Sequence, residues 1–196
     1  MSTAPGEYYT RERWQNWLDR IREEDVDPEE EDSARLLLNL QDDTAIAVAK
    51  IITDFDDGEL EEDAALNELT DVEEIVLDEP DLDDEDKLML LEGVQHALTC
   101  VIQTGKVYIA EGPATDGSVE EFVRAAADAE DQDDLDAAFS NCVQAGTLII
   151  DGSELDVGVA EELEFGFVAE WVNGLDSLQT AMADPEVVEE EEDETS

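Results

Sequence analysis

The sequence predicts an all-α protein: a helical bundle of about six to seven helices with two long central helices and a disordered acidic C-terminal tail. Three observations predict it. Apolar residues recur at i, i+3, i+4 and i+7 along most of the 196 residues, the spacing of one face of a helix. Only one run, within residues 146–152, reads as a strand. Eight of the last thirteen residues are Asp or Glu, a composition that cannot offset the entropy of ordering.

The first helix is expected from Thr10 to Glu24, with Thr10 as N-cap and Trp14, Trp17, Leu18 and Ile21 on one face. The acidic stretch Pro28 to Asp32 is a connection. The second helix runs from Ser33 to Asp56 on a stripe that includes Leu36, Leu40, Val48 and Ile52. Its 24 or so residues span about 36 Å, and Leu38, Ile46 and Ala49 lie off the stripe, so it is expected to be contacted from several sides. Gly58 follows as a C′ residue. A third helix covers about Glu61 to Leu77, and Pro80 with the acidic loop to Asp86 ends that unit. A fourth, the other long one, covers about Asp84 to Ile109.

The segment from Glu111 to Ser118 holds two Gly and one Pro in eight residues and is the clearest break. It separates an N-terminal helical scaffold, 8–110, from a C-terminal helical segment, 118–183, packed on it or forming a subdomain; 184–196 is the tail. Ser118-Val-Glu-Glu121 is a capping box. It opens helices at about 118–130 and 133–145. Residues 146–152, with Thr-Leu-Ile-Ile at 147–150, have no partner strand and are expected as buried extended chain. The last helix is expected unbroken from Val157 to Met182, with Gly166 and Gly174 as points of close helix contact, each costing about 1 kcal/mol relative to Ala.

Charge bounds the function. Asp and Glu number 58 against 9 Lys and Arg, a net charge of −49, yet 42% of residues are hydrophobic. Area scaling puts these carboxylates on roughly 9,000 Å² of surface, about one per 160 Å². A globule this acidic calls for concentrated salt, where the Debye length falls to roughly 3 Å, and for a shell of hydrated K+ or Na+. Nucleic acid and anionic membranes are repelled by such a surface and are not expected partners. No run of about 18 apolar residues suggests a transmembrane helix, and no apolar signal core begins the chain. Two cysteines exclude a disulfide scaffold. These features place the protein in the cytoplasm of a salt-in organism.

The first helix stands apart. Arg11, Arg13, Arg20 and Arg22 are four of the nine basic residues, and residues 8–22 carry a net +2. Arg13 and Arg20 flank Trp17. An aromatic stripe rimmed by arginine has the composition of binding hot spots. The candidate interaction residues are therefore Trp14, Trp17, Ile21, Arg13 and Arg20, presented to a protein partner or to a second copy of the chain. The competing reading is that this helix docks on its own acidic body with the arginines forming the rim.

Other motifs carry less. Residues 54–60 resemble a calcium loop, but with Gly58 in the sixth place the first, third and twelfth places fall on Thr53, Phe55 and Ala64, which lack the required carboxylates. His96 and Cys100 stand at i, i+4, and Cys142 completes a conceivable His/Cys/Cys metal set, yet without a CxxC or HExxH pattern they read better as core thiols and a half-buried histidine. No nucleotide or nucleophile-elbow motif occurs. No cofactor is expected. A non-enzymatic interaction module is the first reading, and a small enzyme or metal-binding protein with a pocket between helices near His96 is the second.

The segments Gly6-Glu-Tyr-Tyr-Thr-Arg-Glu-Arg-Trp-Gln-Asn-Trp-Leu18 and Ser33-Ala-Arg-Leu-Leu-Leu-Asn-Leu-Gln-Asp-Asp-Thr-Ala-Ile-Ala-Val-Ala-Lys-Ile-Ile52 resemble an archaeal domain-of-unknown-function family, DUF2150, met chiefly in halophilic archaea. The resemblance covers most of the chain apart from the tail. It implies a cytoplasmic halophile protein and supplies no activity and no functional residues.

Overall fold

The computed structural model describes residues 8–27, 29–163 and 166–183. Among them are eight helices and no strand: α1 (Arg11–Glu23), α2 (Glu31–Asp56), α3 (Glu62–Val76), α4 (Glu85–Glu111), α5 (Val119–Asp131), α6 (Leu135–Ile150), α7 (Val157–Glu162) and α8 (Phe167–Ala183). The all-helical class is as the sequence predicts, and α1 to α5 begin and end within about two residues of their expected bounds. The expected acidic tail, 184–196, lies outside the described residues.

The caps explain most helix starts. Thr10 Oγ1 accepts from Arg13 N at 3.1 Å, Asp84 Oδ1 from Asp86 N at 3.0 Å, Ser118 Oγ from Glu121 N at 3.2 Å, and Asp134 Oδ1 from Ala137 N at 3.1 Å. Each satisfies an amide that the helix itself leaves free. α2 and α3 have no side-chain cap bond but open on Glu31-Asp32 and Glu62-Asp63, carboxylates placed at the positive end of the helix dipole.

Two expectations are corrected. Residues 147–150 are not extended: they form the last turn of α6, with Thr147 and the three aliphatic residues after it all buried. Packing from several sides overrides the β propensity of Thr and Ile. Helix also satisfies their backbone polar groups internally, which a lone buried strand does not. The helix then ends at Asp151 and at Gly152, whose φ of +109° suits glycine.

The last helix is not continuous either, which makes eight helices among the described residues where about six to seven are expected. It ends at Glu162 and restarts at Phe167. The cause is Glu130 near the end of α5. Its Oε1 accepts from Phe167 N at 2.8 Å and its Oε2 from Val168 N at 3.3 Å. A carboxylate from another helix thus caps α8, a charge-assisted arrangement at the positive helix end. Gly166 permits it, because a Cβ there would lie 2.5 Å from Glu130 Oε1.

α4 is the axis of the fold. α2, α3, α6 and α8 all pack on it. Gly105 of α4 receives Leu69, Ile52 and Val48. Gly146 of α6 sits against Thr104, where a Cβ would come within 2.5 Å of Cγ2. Gly174 of α8 lies against the backbone of Ala97, and a Cβ would fall inside contact distance of the Ala97 carbonyl oxygen. Ala97, Leu98, Val101 and Ile102 are buried along α4. No helix among the described residues is long and apolar enough to cross a membrane.

These contacts separate two glycines of α4 and α8. Gly174→Ala must push α8 off α4, since backbone is what it meets, and is expected to lower stability by about 1–3 kcal/mol. Gly93→Ala, whose Cβ would meet Glu170 Oε1 at an ordinary 3.5 Å, is expected to be neutral or to gain up to about 1 kcal/mol of helix propensity. Denaturant titration of both variants in molar KCl distinguishes them.

Candidate docking cleft

The tryptophan stripe faces inward. Trp14 is 1% exposed and Ile21 0%, and both belong to the chain's own hydrophobic core with Leu18. Trp14 and Ile21 are therefore not exposed to a partner in this structure, in contrast to the docking stripe expected of them. Trp17 is half-buried, and its Nε1 donates to Asp43 Oδ2 at 2.9 Å. Arg13 makes a two-pronged contact with the same carboxylate, Nε to Oδ2 at 2.8 Å and NH2 to Oδ1. Arg20 stacks over the Trp17 ring at 4.9 Å. Arg11 pairs with Asp78 at 2.9 Å, and Arg22 Nε donates to the Asp81 carbonyl at 2.8 Å. The arginines therefore rim α1 and bind it to α2 and to the loop before α4. The planar Arg fork suits a carboxylate such as Asp43, so the same composition serves an internal interface as well as an external one.

The conceivable metal set is not assembled. His96 is half exposed and its Nδ1 lies 2.9 Å from Glu170 Oε2 on α8. Cys100 and Cys142 are fully buried. Burial pushes the Cys142 thiol up to about 12 and that of Cys100 well above its ordinary value, with Cys142 adding to the effect. Such thiols stay protonated and are poor ligands and nucleophiles. Among the described residues no group of three His, Cys, Asp or Glu side chains could hold a metal ion. His96 instead begins a row of rings: Phe167 at 5.4 Å, then Trp171 at 5.9 Å from Phe167, then Phe139 at 5.0 Å from Trp171.

What the structure does assemble is a pair of apolar clefts on either side of α8. The first, about 230 Å³, lies between α2, α4 and α8; Leu37, Leu38, Leu90 and Val94 line it, with Asp27 and Glu170 at its rim. The second, about 330 Å³, lies between α7 and α8; Val157, Leu163 and Val172 line it, with Glu161 and Asp176. Asn173 belongs to both, so the outer edge of α8 is a low ridge between them. Leu38 is 44% exposed and Val157 69%. α8 has two charged residues, Glu170 and Asp176, in 17, within a chain that is 34% charged.

The α2–α8 seam closes the first cleft at one end. Gln41 Nε2 donates to Ser177 Oγ at 3.0 Å and to the Asn173 carbonyl at 3.3 Å. Beside it stands Asp42, half-buried. Burial raises its pKa above the ordinary carboxylate value, Asp176 raises it further, and the Ser177 hydroxyl opposes the shift. Neither Asp42 nor Asp176 forms an ion pair with a cationic side chain among the described residues. Sequence reading missed this site because it joins Asp27 with residues 33–41, 90–94 and 170–173, which no motif links. The one available signal was the low charge of 167–183.

The chain belongs to the family described as an uncharacterized protein conserved in archaea (DUF2150), whose family model matches residues 7–191. Neither a curated protein nor a solved structure matches it.

Two outcomes test these placements. Trp14→Ala opens a cavity in the core and is expected to cost about 3–5 kcal/mol, measured by chemical unfolding; an effect under about 1 kcal/mol would show the indole to be peripheral. Asp42→Asn is expected to raise the unfolding midpoint at neutral pH, because a carboxyl with a raised folded pKa is destabilising when ionised. That cost disappears as pH falls from the raised folded value to the ordinary one, so wild type and variant should converge in acid.

Proposed function

We propose that this is a non-enzymatic helical protein of a salt-rich cytoplasm that works by docking a partner protein on the face formed by α2, α4, α7 and α8. The observation that carries this reading is the cleft between α2, α4 and α8, where Leu37, Leu38, Leu90 and Val94 form an apolar lining on a molecule that carries 58 carboxylates. The core of a protein interface is depleted of charge and enriched in apolar surface, and exposed apolar clefts mark interaction sites. The net charge of −49 supports the salt-rich setting, since self-repulsion of that size is quenched only at high ionic strength.

The docking surface differs from the one expected from composition. Trp14 and Ile21 are spent on the internal interface of α1, whereas Leu38 and Val157 stand at the clefts with substantial exposure.

A second reading rests on His96. With Nδ1 held by Glu170, the other ring nitrogen is left to take a proton, the arrangement of an oriented general base. It supports a small enzyme using the first cleft, whose rim includes Glu170. His96→Ala changing a measured activity without lowering stability would favour it.

The docking reading is tested by purifying the tagged protein from a halophilic host in molar KCl after nuclease treatment. A stoichiometric protein companion is expected, and Leu38→Glu combined with Ala169→Glu should release it while helical content is retained. Recovery of the wild-type chain without a companion, or a companion indifferent to both substitutions, would overturn the reading.

A further inference from the structure

Charge complementarity narrows the occupant of the first cleft. Ala34, Leu37, Leu38, Leu90 and Val94 give it an apolar lining with Ser33, Gln41 and Asn173 among them, and its charged lining residues are the carboxylates Asp27 and Glu170, the latter also in contact with His96 Nδ1. On α2, Ala34, Leu37, Leu38 and Gln41 face the cleft, and Asp42 follows Leu38 by one turn. On α8, Glu170 and Asn173 face it, and Asp176 follows by one turn. The α2 lining from Ala34 to Gln41 runs about two helical turns, roughly 11 Å, and Asp42 and Asp176 stand just beyond the lining residues at the seam, Asp176 also lining the second cleft. At the seam end, Asp42 and Asp176 are close enough to raise the Asp42 pKa, and no cation of the described chain neutralises them.

Resting on the docking reading above, we propose that the occupant is a basic amphipathic helix of another protein. Its apolar stripe lies on Leu37, Leu38, Leu90 and Val94, and its Lys or Arg side chains reach Asp42 and Asp176 at one end and Asp27 and Glu170 at the other. An apolar stripe at i, i+3, i+4 and i+7 covers about two turns, which matches the slot. Of these carboxylates Asp42 and Glu170 are partly withdrawn from solvent, and Asp27 and Asp176 are exposed; salt screens attraction to the first two less than on the open surface. A second copy of this chain would bring a net charge of −49 against the same carboxylates. A nucleic acid would bring phosphates. Both are disfavoured by the sign of the rim.

The probe is a synthetic peptide of about 18 residues with Leu on one helical face and Lys on the other. A Glu-for-Lys version and a scrambled Leu/Lys version serve as controls, and binding to the full chain is read by fluorescence anisotropy in molar KCl. The Leu/Lys helix is expected to saturate at one per chain. Asp42→Asn with Asp176→Asn should weaken it roughly tenfold, Leu38→Gln should weaken it at least as much, and Glu120→Gln with Asp128→Asn on α5 should leave it unchanged. Circular dichroism checks that each variant is folded. If the Glu version binds as tightly and still depends on Leu38, the docking face stands and the basic occupant is overturned. Equal binding of the scrambled peptide, or indifference to the Asp42/Asp176 pair, overturns the basic occupant as mere attraction to an acidic surface. If no peptide depends on Leu38, the docking face falls with it.

Discussion

Everything in this fold depends on how closely α8 approaches α4. Gly174 lies against the Ala97 carbonyl without a side chain between them, so the two helices meet backbone to backbone rather than side chain to side chain. That brings α8 into the groove beside α2 and places Gln41 within 3.0 Å of Ser177. Gly146 does the same for α6 against Thr104. A glycine in a helix interior costs about 1 kcal/mol of propensity. Here the cost is offset by contact: close-packed interiors reward short interaxial distances, and Ala97, Leu98, Val101 and Ile102 are buried as a result. Next to that contact, Gly93 of α4 and Glu170 and Asn173 of α8 line the apolar slot.

The break before α8 is the second determinant, and it is electrostatic. In a chain with 58 carboxylates, most acidic side chains contribute solvation and repulsion. Glu130 differs because it receives the amides of Phe167 and Val168. That contact caps the start of α8 at Phe167, and the second cleft lies between α7 and α8. The same element therefore ties α5 to α8. Asp43 plays a comparable part for α1, taking Arg13 and the Trp17 indole together.

How much of this could be read from the sequence divides by range. Periodicity and caps located α1 to α5 closely, because Thr10, Asp84 and Ser118 act within their own first turns. The four residues at 147–150 misled because β-branched composition is a local signal, while burial on all sides by α4 and α8 is not. The break at residues 163–166 was hidden because its cause, Glu130, lies more than 30 residues away and looks like any other acidic residue. The direction of the Trp14 stripe was ambiguous for a different reason. Trp and Arg around an apolar face describe an interface equally well whether the other side belongs to the same chain or another, and only the position of Asp43 decides. The cleft had the weakest trace, a shortage of charge in α8 whose meaning depends on which side of the helix faces out.

That shortage has a physical logic in a salt-rich solvent. Screening over about 3 Å at molar salt removes the long-range steering that an acidic surface would otherwise exert. It removes the long-range repulsion of wrong partners as well. Recognition then has to be carried by features that act at contact. Apolar burial is one, since it does not depend on charge. A half-buried carboxylate is another, since solvent ions reach it poorly. Asp42, raised in pKa by its own burial and by Asp176, is a cost to the isolated fold and a gain once a cation arrives. The surface thus keeps its solubility from the many exposed carboxylates and its selectivity from the few that the helices partly cover.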